Sequence, residues 1–252
     1  MMPTTQAPAG QIVPIHEYVR QRAGVFSRLA HGWELHSAVL LTPAEERTMV
    51  REPAQAVPQK IAERLGPLRI LVAPYIGCFK SGDAVCFSKP EGETHTAVWV
   101  ESDGRTCVVL ASKELDAHDT GFEFLASVAH LLVATLNASE MQSYSELLAN
   151  ELSRKVSGEI DPEALEAKQK HLRPAGGSDG ESGFAEYRET SLVSTLAEYM
   201  HGLWHDVQVR AGPEHLPVRE LQNRMMLLAK MFPPNPGYSL FARELESQGE
   251  QG

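Results

Sequence analysis

A strongly apolar segment near the middle of the chain constrains the fold more than any other feature. Between Phe122 and Leu136, apolar side chains recur so densely that they cover most of the circumference of a helix. Thr120 and Glu123 have the spacing of a capping box, which places the start of the helix there. A helix that is apolar on nearly every side is stable only when protein surrounds it. The sequence therefore predicts a central buried helix that continues to about Asn137.

Segments rich in β-branched and aromatic residues precede this helix. Asp103-Gly104 separates two of them, and that dipeptide between such segments is typical of a β-hairpin. The predicted strands are Leu68–Ala73, Ala84–Phe87, Thr94–Glu101 and Thr106–Ala111. The sequence thus predicts an α+β fold. It consists of a small antiparallel sheet of about four strands with the central helix packed on the hairpin, followed by a mainly helical C-terminal half.

Helical signals also occur on both sides of this region. Apolar periodicity predicts helix over Ile12–His36, with an interruption near Gly24 or Gly32 as the alternative to a continuous helix. Thr42 with Glu45 forms a capping box for a short second helix. Ser139 with Gln142 predicts the start of a further helix, and Asp161-Pro162 the start of another.

The composition of the second half suggests where the chain divides. Residues 173–183 are polar and rich in glycine, whereas residues 191–207 and 217–232 have helical periodicity. The predicted organisation is an α+β domain over residues 1–172, a flexible loop or linker over 173–190, a helical region over 191–241 that packs on the same core, and a frayed tail over 242–252.

Charge and cysteine content exclude several classes of function. The net charge is −10, and no cationic stripe is visible, so nucleic acids and anionic membrane surfaces are disfavoured as partners. No apolar segment is long enough to span a bilayer. Three cysteines are too few for a disulfide framework, which favours a cytoplasmic location. The partner class that stays open is protein.

Three residues near the end of the 191–207 segment have the spacing of metal ligands. Glu198, His201 and His205 fall at i, i+3 and i+7, so that two imidazoles and a carboxylate share one helix face. Three such ligands and one open position describe a catalytic zinc site. The alternative is a solvent-facing polar stripe, because Ser194 lies on the same face and no glutamate follows the first histidine.

His130 lies inside the central helix, where a polar ring needs a partner. It is therefore either a hydrogen-bonded core histidine or a metal ligand or base that faces the sheet. The extended run TCVVLASKEL, a loop and a helix with a late histidine resemble the edge-strand and active-site-helix unit of zincin metallopeptidases over residues 94–136.

The zincin resemblance has a consequence for activity. Zincins have a first histidine ligand four residues before the second, followed directly by a catalytic glutamate. With His130 as the second ligand, these places hold Ala126 and Ser127. The resemblance therefore implies a scaffold that does not hydrolyse peptides through metal-activated water.

Asp116, His118 and Asp119 form a further polar cluster just before the central helix. Acidic groups at this place suit helix capping and the positive end of the helix dipole. The alternative is a set of metal ligands in the loop that leads into the helix.

Two hypotheses about function follow. The first is a non-catalytic binding or regulatory protein with the zincin-like scaffold that the resemblance implies. It is favoured by the absence of phosphate-binding and nucleophile-elbow motifs and by the adaptable methionines of NRMMLLAKMF. The second is a metal-dependent hydrolase or metal-binding protein that uses Glu198, His201 and His205, with zinc as the candidate metal. We favour the first hypothesis.

Overall fold

A computed structural model describes residues 11–21, 26–173, 180–205 and 212–241. Several parts of the predictions lie outside the described residues: positions 1–10 of the first domain, 22–25 of the helix predicted over Ile12–His36, 174–179 of the loop, 206–207 of the helical segment and the tail at 242–252. The chain divides into two compact units, Met1–Val57 with Leu65–Ser127, and Pro58–Arg64 with Val128–Gly252.

The described ranges contain strands mainly in the first unit and long helices mainly in the second. The strands are β1 (Ile12–Pro14), β2 (Ser27–Arg28), β3 (Glu34–Ser37), β4 (Leu68–Ala73), β5 (Tyr75–Gly77), β6 (Ala84–Cys86), β7 (Thr94–His95), β8 (Ala97–Ser102) and β9 (Arg105–Ala111). The α-helices are α1 (Ile15–Gln21), α2 (Pro43–Glu46), α3 (Glu52–Ala56), α4 (Gln59–Leu65), α5 (Ala117–Val133), α6 (Ala138–Ser153), α7 (Pro162–Leu172), α8 (Gly180–Trp204) and α9 (Val218–Met231). A π-helical turn, Arg47–Arg51, joins α2 to α3.

A five-stranded sheet in the order β2-β3-β4-β9-β8 forms the centre of the first unit. Strands β3, β4 and β9 are parallel to one another, whereas the outer strands β2 and β8 pair antiparallel. Strand β4 is buried on both faces, because Leu71 belongs to one apolar cluster while Ile70, which points to the other face, is also fully buried. Parallel strands need such double burial, and the apolar run of β4 provides it.

A four-stranded antiparallel sheet in the order β1-β6-β5-β7 completes the first unit. The α+β class and the helical C-terminal half are confirmed. The predicted strands are present, but they are divided between two sheets, and β4 pairs with β9 in parallel. The residues of the apolar cluster in this unit are Val13, Ile15, Tyr18, Val19, Leu71, Ala73, Ile76, Val85, Cys107, Val109 and Ala111.

The helix predicted over Ile12–His36 is wrong. Val13 is extended in β1 and pairs with Val85, and Leu35 is extended in β3 and pairs with Ile70. Among the described residues of that range, only Ile15–Gln21 are α-helical. The pairing partners lie far along the chain, so tertiary pairing overrides the local helical period.

Helices form the described part of the second unit. Helix α8 is 25 residues long and begins at Gly180, so residues 180–190 are helical and the predicted loop or linker does not extend over them. The Tyr144 hydroxyl of α6 lies 2.9 Å from Ser191 Oγ and 2.7 Å from Thr195 Oγ1, which ties α6 to α8. Tyr199 of α8 donates to the Phe232 carbonyl just after α9.

Capping chemistry sets the helix ends. The Thr42 and Glu45 capping box is confirmed, and Asp161 caps α7 as predicted. The cap of α6 is Asn137 with Glu140, two residues before the predicted Ser139. Within the described residues no single helix is long and apolar enough to cross a membrane; only α5 and α6, bent by 115° at their junction, reach that length and composition as a pair.

Candidate functional site

Strand β8 is the outer strand of the five-stranded sheet and the first strand of the predicted hairpin. The hairpin turn is confirmed, with φ of +52° at Asp103 and +68° at Gly104. Ser102 pairs with Arg105 across the turn, and the Ala111 amide donates to the Thr96 carbonyl at 2.8 Å. Hydrogen-bonded pairs alternate along an antiparallel ladder.

This alternation fixes which backbone groups of β8 face away from β9. Val98 and Val100 take part in hydrogen-bonded pairs, whereas the amides and carbonyls of Ala97 and Glu101 point to the outer side. The side chains of Val98 and Val100 pack on the apolar cluster of the first unit. On the opposite face Trp99 is 44% exposed. Strand β8 is therefore anchored by one face and, among the described strands, is paired along one edge only, with β9.

The start of α5 is fixed next to this hairpin. Thr96 donates from Oγ1 to Glu123 Oε2 at 2.9 Å, which joins the helix to the residue before β8. The predicted capping box at Thr120 and Glu123 is wrong, because α5 begins at Ala117, three residues before Thr120. Asp116 Oδ1 accepts from the Asp119 amide at 2.8 Å, and the Thr120 hydroxyl donates to the Asp116 carbonyl.

Helix α5 carries His130, the residue on which the zincin resemblance depends. His130 is exposed, so the expectation of a core histidine is wrong. Ser127 is buried, and its hydroxyl donates to the Glu123 carbonyl one turn earlier at 2.9 Å. Ala126 has no metal-ligating atom. The positions that would hold the first ligand and the general base of a zincin therefore carry no such chemistry.

The three predicted metal ligands on α8 lie in different environments. His201 is 6% exposed, and its Nδ1 lies 3.6 Å from Glu198 Oε2. His205 follows the last residue of the helix, is exposed, and lies with its ring 4.1 Å from that of Trp204. The donor atoms of Glu198, His201 and His205 do not all approach within 4.8 Å of one another in the described part of the chain. The polar stripe is not solvent-facing either, because Ser194 and His201 are buried.

Two other clusters bring three donor atoms within 4.8 Å of one another. The first, Asp116, His118 and Asp119, is largely explained by capping of α5. The second, Cys78, Asp83 and His95, lies on the four-stranded sheet and was not predicted from the sequence, where the three cysteines indicated only the absence of a disulfide framework. Its members are 5 and 12 residues apart in the chain, a spacing that matches no metal motif.

A buried ionic network fills the interior of the second unit and was also missed. Arg224 donates to Glu151 Oε2 at 2.6 Å and to Glu159 Oε2 at 2.7 Å. Glu159 also accepts from Lys168 Nζ at 3.1 Å and from the Tyr187 hydroxyl. Burial raises the pKa of Glu159, but Arg224 and Lys168 outweigh it and hold that pKa below its ordinary value. Burial raises the pKa of the Tyr187 hydroxyl, which remains a donor.

This network is closed rather than open to a ligand. Two cations and two carboxylates balance in charge, and all four side chains are at most 3% exposed. We therefore interpret it as a structural element that fixes the helices of the second unit.

No protein-family model, curated protein or solved structure matches the chain. The zincin resemblance accordingly stays a prediction.

Proposed function

We propose that the protein is a non-catalytic binding protein that takes up an extended segment of a partner protein along the outer edge of β8. The observation that carries this proposal is the register of the hairpin. It turns the backbone amides and carbonyls of Ala97 and Glu101 away from β9. We place this activity inside the cell, where the three free cysteines stay reduced.

The order of elements around β8 supports a zincin-like scaffold. An antiparallel edge strand, β8, is followed by the parallel strand β9 and then by the long helix α5. This is the unit that the sequence resemblance implies. Thr96 and Glu123 join its first strand to its helix.

The helix itself supports a non-catalytic role. A zincin-type hydrolase needs a metal-bound water and a glutamate that activates it. In α5 the corresponding positions are Ala126 and Ser127, and the Ser127 hydroxyl is already hydrogen-bonded within the helix. Binding without hydrolysis is the function that such a scaffold retains.

Edge strands bind partner segments by adding one strand to the sheet. Main-chain hydrogen bonds give the affinity, and side chains beside the edge give the specificity. Val98 and Val100 hold β8 on the core, so the edge is preorganised, and the exposed Trp99 ring offers an apolar contact at its centre. The net charge of −10 favours partner segments with basic side chains.

The test uses peptides selected from a random extended-peptide library on the purified full chain. Binding of the selected peptides is measured by fluorescence anisotropy for wild type, Ala97→Pro and Ala97→Val. Proline at position 97 removes an outward amide without breaking the β8–β9 ladder, whereas valine retains the amide. We expect Ala97→Pro to weaken peptide binding about tenfold or more, because one main-chain hydrogen bond to the added strand is lost. Ala97→Val should bind the peptides nearly as tightly as wild type.

A second arm of the same test uses peptides whose backbone amides are methylated at alternate positions. One methylation phase should abolish binding and the other should leave it intact, because only one side of an added strand faces β8. Equal binding to wild type and Ala97→Pro, or a library that yields no binding peptide, would overturn the proposal. Cleavage of a selected peptide by the purified protein would contradict its non-catalytic part.

A further inference from the structure

We propose that Cys78, Asp83 and His95 form a zinc-binding site on the four-stranded sheet. Their ligand atoms all lie within 4.8 Å of one another, and His95 Nε2 lies 3.2 Å from Asp83 Oδ1. Ligand atoms bound to a tetrahedral zinc at about 2.0–2.3 Å are roughly 3.3–3.8 Å apart. The cluster thus needs only a small contraction to take up the ion.

The register of the sheet holds the three residues together. Gly77 pairs with Ala84 on one side and with Thr94 on the other. These three paired residues form one row across the sheet. Cys78 follows Gly77, Asp83 precedes Ala84 and His95 follows Thr94, so each ligand is the immediate chain neighbour of a residue in that row.

The backbone around the cluster is fixed by further hydrogen bonds. The Cys78 amide donates to the Glu93 carbonyl at 3.0 Å, and the Asp83 carbonyl accepts from Ile15 at 3.1 Å. A turn between the first two ligands is closed by the Gly82 amide, which donates to the Phe79 carbonyl at 2.9 Å. Gly82 has a φ of +108°, which favours glycine there. The ligands are therefore presented by a backbone that is already in place.

The donor set selects the class of metal. A thiolate, an imidazole and a carboxylate are the three protein ligand types of zinc, whereas magnesium and calcium prefer oxygen alone. The Cys78 thiolate and the Asp83 carboxylate together neutralise the charge of a divalent ion. Cys78 is exposed, and the side chains of Asp83 and His95 are 38% and 41% exposed, so an ion reaches the site from solvent and the fourth position is left to water.

The test measures metal content and metal spectra of the purified full chain after treatment with a chelator. Zinc is added back in equilibrium dialysis, and cobalt(II) is used as a spectroscopic probe, because a cobalt–thiolate bond gives a charge-transfer band. The variants are Cys78→Ser and His95→Gln. His118→Gln, from the other donor cluster, and the double variant His201→Gln/His205→Gln are the matched controls.

We expect one equivalent of zinc and a thiolate charge-transfer band in wild type and in both controls. Cys78→Ser should abolish the band, and each ligand variant should weaken zinc binding by about 100-fold or more. Melting temperatures without metal should stay near wild type, because the three side chains are not buried.

Absence of zinc binding in wild type, or undiminished binding in Cys78→Ser and His95→Gln, would overturn the proposal. Loss of zinc only in the His201→Gln/His205→Gln variant would place the metal on α8 and overturn it as well. The result is independent of peptide capture by β8, because Ala97→Pro leaves all three ligands in place.

Discussion

Arg224 Nη2 lies 2.6 Å from Glu151 Oε2, and both side chains are almost completely buried. The same guanidinium binds Glu159 through Nη1, so one arginine on α9 bridges a carboxylate of α6 and a second carboxylate in the segment before α7. Lys168 of α7 and Tyr187 of α8 also contact Glu159. Four helices and one connecting segment therefore share a single electrostatic centre.

Replacement of Arg224 by methionine should be strongly destabilising. It leaves two buried carboxylates with one cation between them, and breaking a buried pair costs about 3–5 kcal/mol. The measurement is the free energy of unfolding in urea. Lys170→Met is the control, because the Lys170 and Glu186 side chains are 59% and 47% exposed and their pair is worth about 1 kcal/mol or less. Similar losses in the two variants would show that the network does not hold the second unit together.

The depressed pKa of Glu159 predicts a specific loss of stability in acid. A carboxyl group whose pKa is lower in the folded state stabilises the protein above its unfolded pKa of about 4.3. That contribution is lost as the pH falls through the folded pKa, because the unfolded state binds the proton first. We therefore expect Glu159→Gln to be less stable than wild type at pH 7 and to lose less stability on further acidification.

Free energies of unfolding between neutral pH and pH 2 measure this difference. Glu166→Gln, an exposed position on α7, is the control and should follow the wild-type curve. Parallel curves for wild type and Glu159→Gln would contradict the argument.

Leu132→Asp tests whether α5 is part of the core. Leu132 is fully buried, so the substitution buries an unpaired charge, and we expect a loss of about 3 kcal/mol or more. Ala134→Asp, an exposed position two residues further, is the control and should change stability by about 0.5 kcal/mol or less. Melting of the Leu132→Asp variant within a degree or two of wild type would show that the C-terminal part of α5 is not core.

Features that depend on neighbouring residues could be predicted from the sequence. The Asp103-Gly104 turn, the Thr42 capping box and the Asp161 cap are each determined by two or three adjacent residues, and all three are present. The cap of α5 lies at Asp116 and not at the predicted Thr120. Both residue types are suitable helix caps, and the two positions are only about one turn apart. Sequence spacing alone does not decide between two suitable caps.

Features that depend on distant residues could not be predicted. Leu35 becomes a strand residue because β4 lies beside it, and no local pattern signals that pairing. The cluster of Cys78, Asp83 and His95 exists only because the pairing of three antiparallel strands brings the chain neighbours of Gly77, Ala84 and Thr94 together. The charged residues of the Arg224 network read as ordinary solvent-exposed positions on their separate helices, and only helix packing buries them.

The last prediction concerns His201 of α8 and His205 just after it, which the structure places in different environments. His201 is buried beside Glu198, so His201→Ala should leave a cavity and lower the free energy of unfolding by about 1–3 kcal/mol. His205 is exposed beyond the last helical residue, and His205→Ala should change it by about 0.5 kcal/mol or less. Melting curves with and without added zinc measure both effects. If Glu198, His201 and His205 bound zinc together, both variants would lose the same zinc-dependent stabilisation. We expect instead that any stabilisation by zinc is retained in both variants, because its ligands are Cys78, Asp83 and His95.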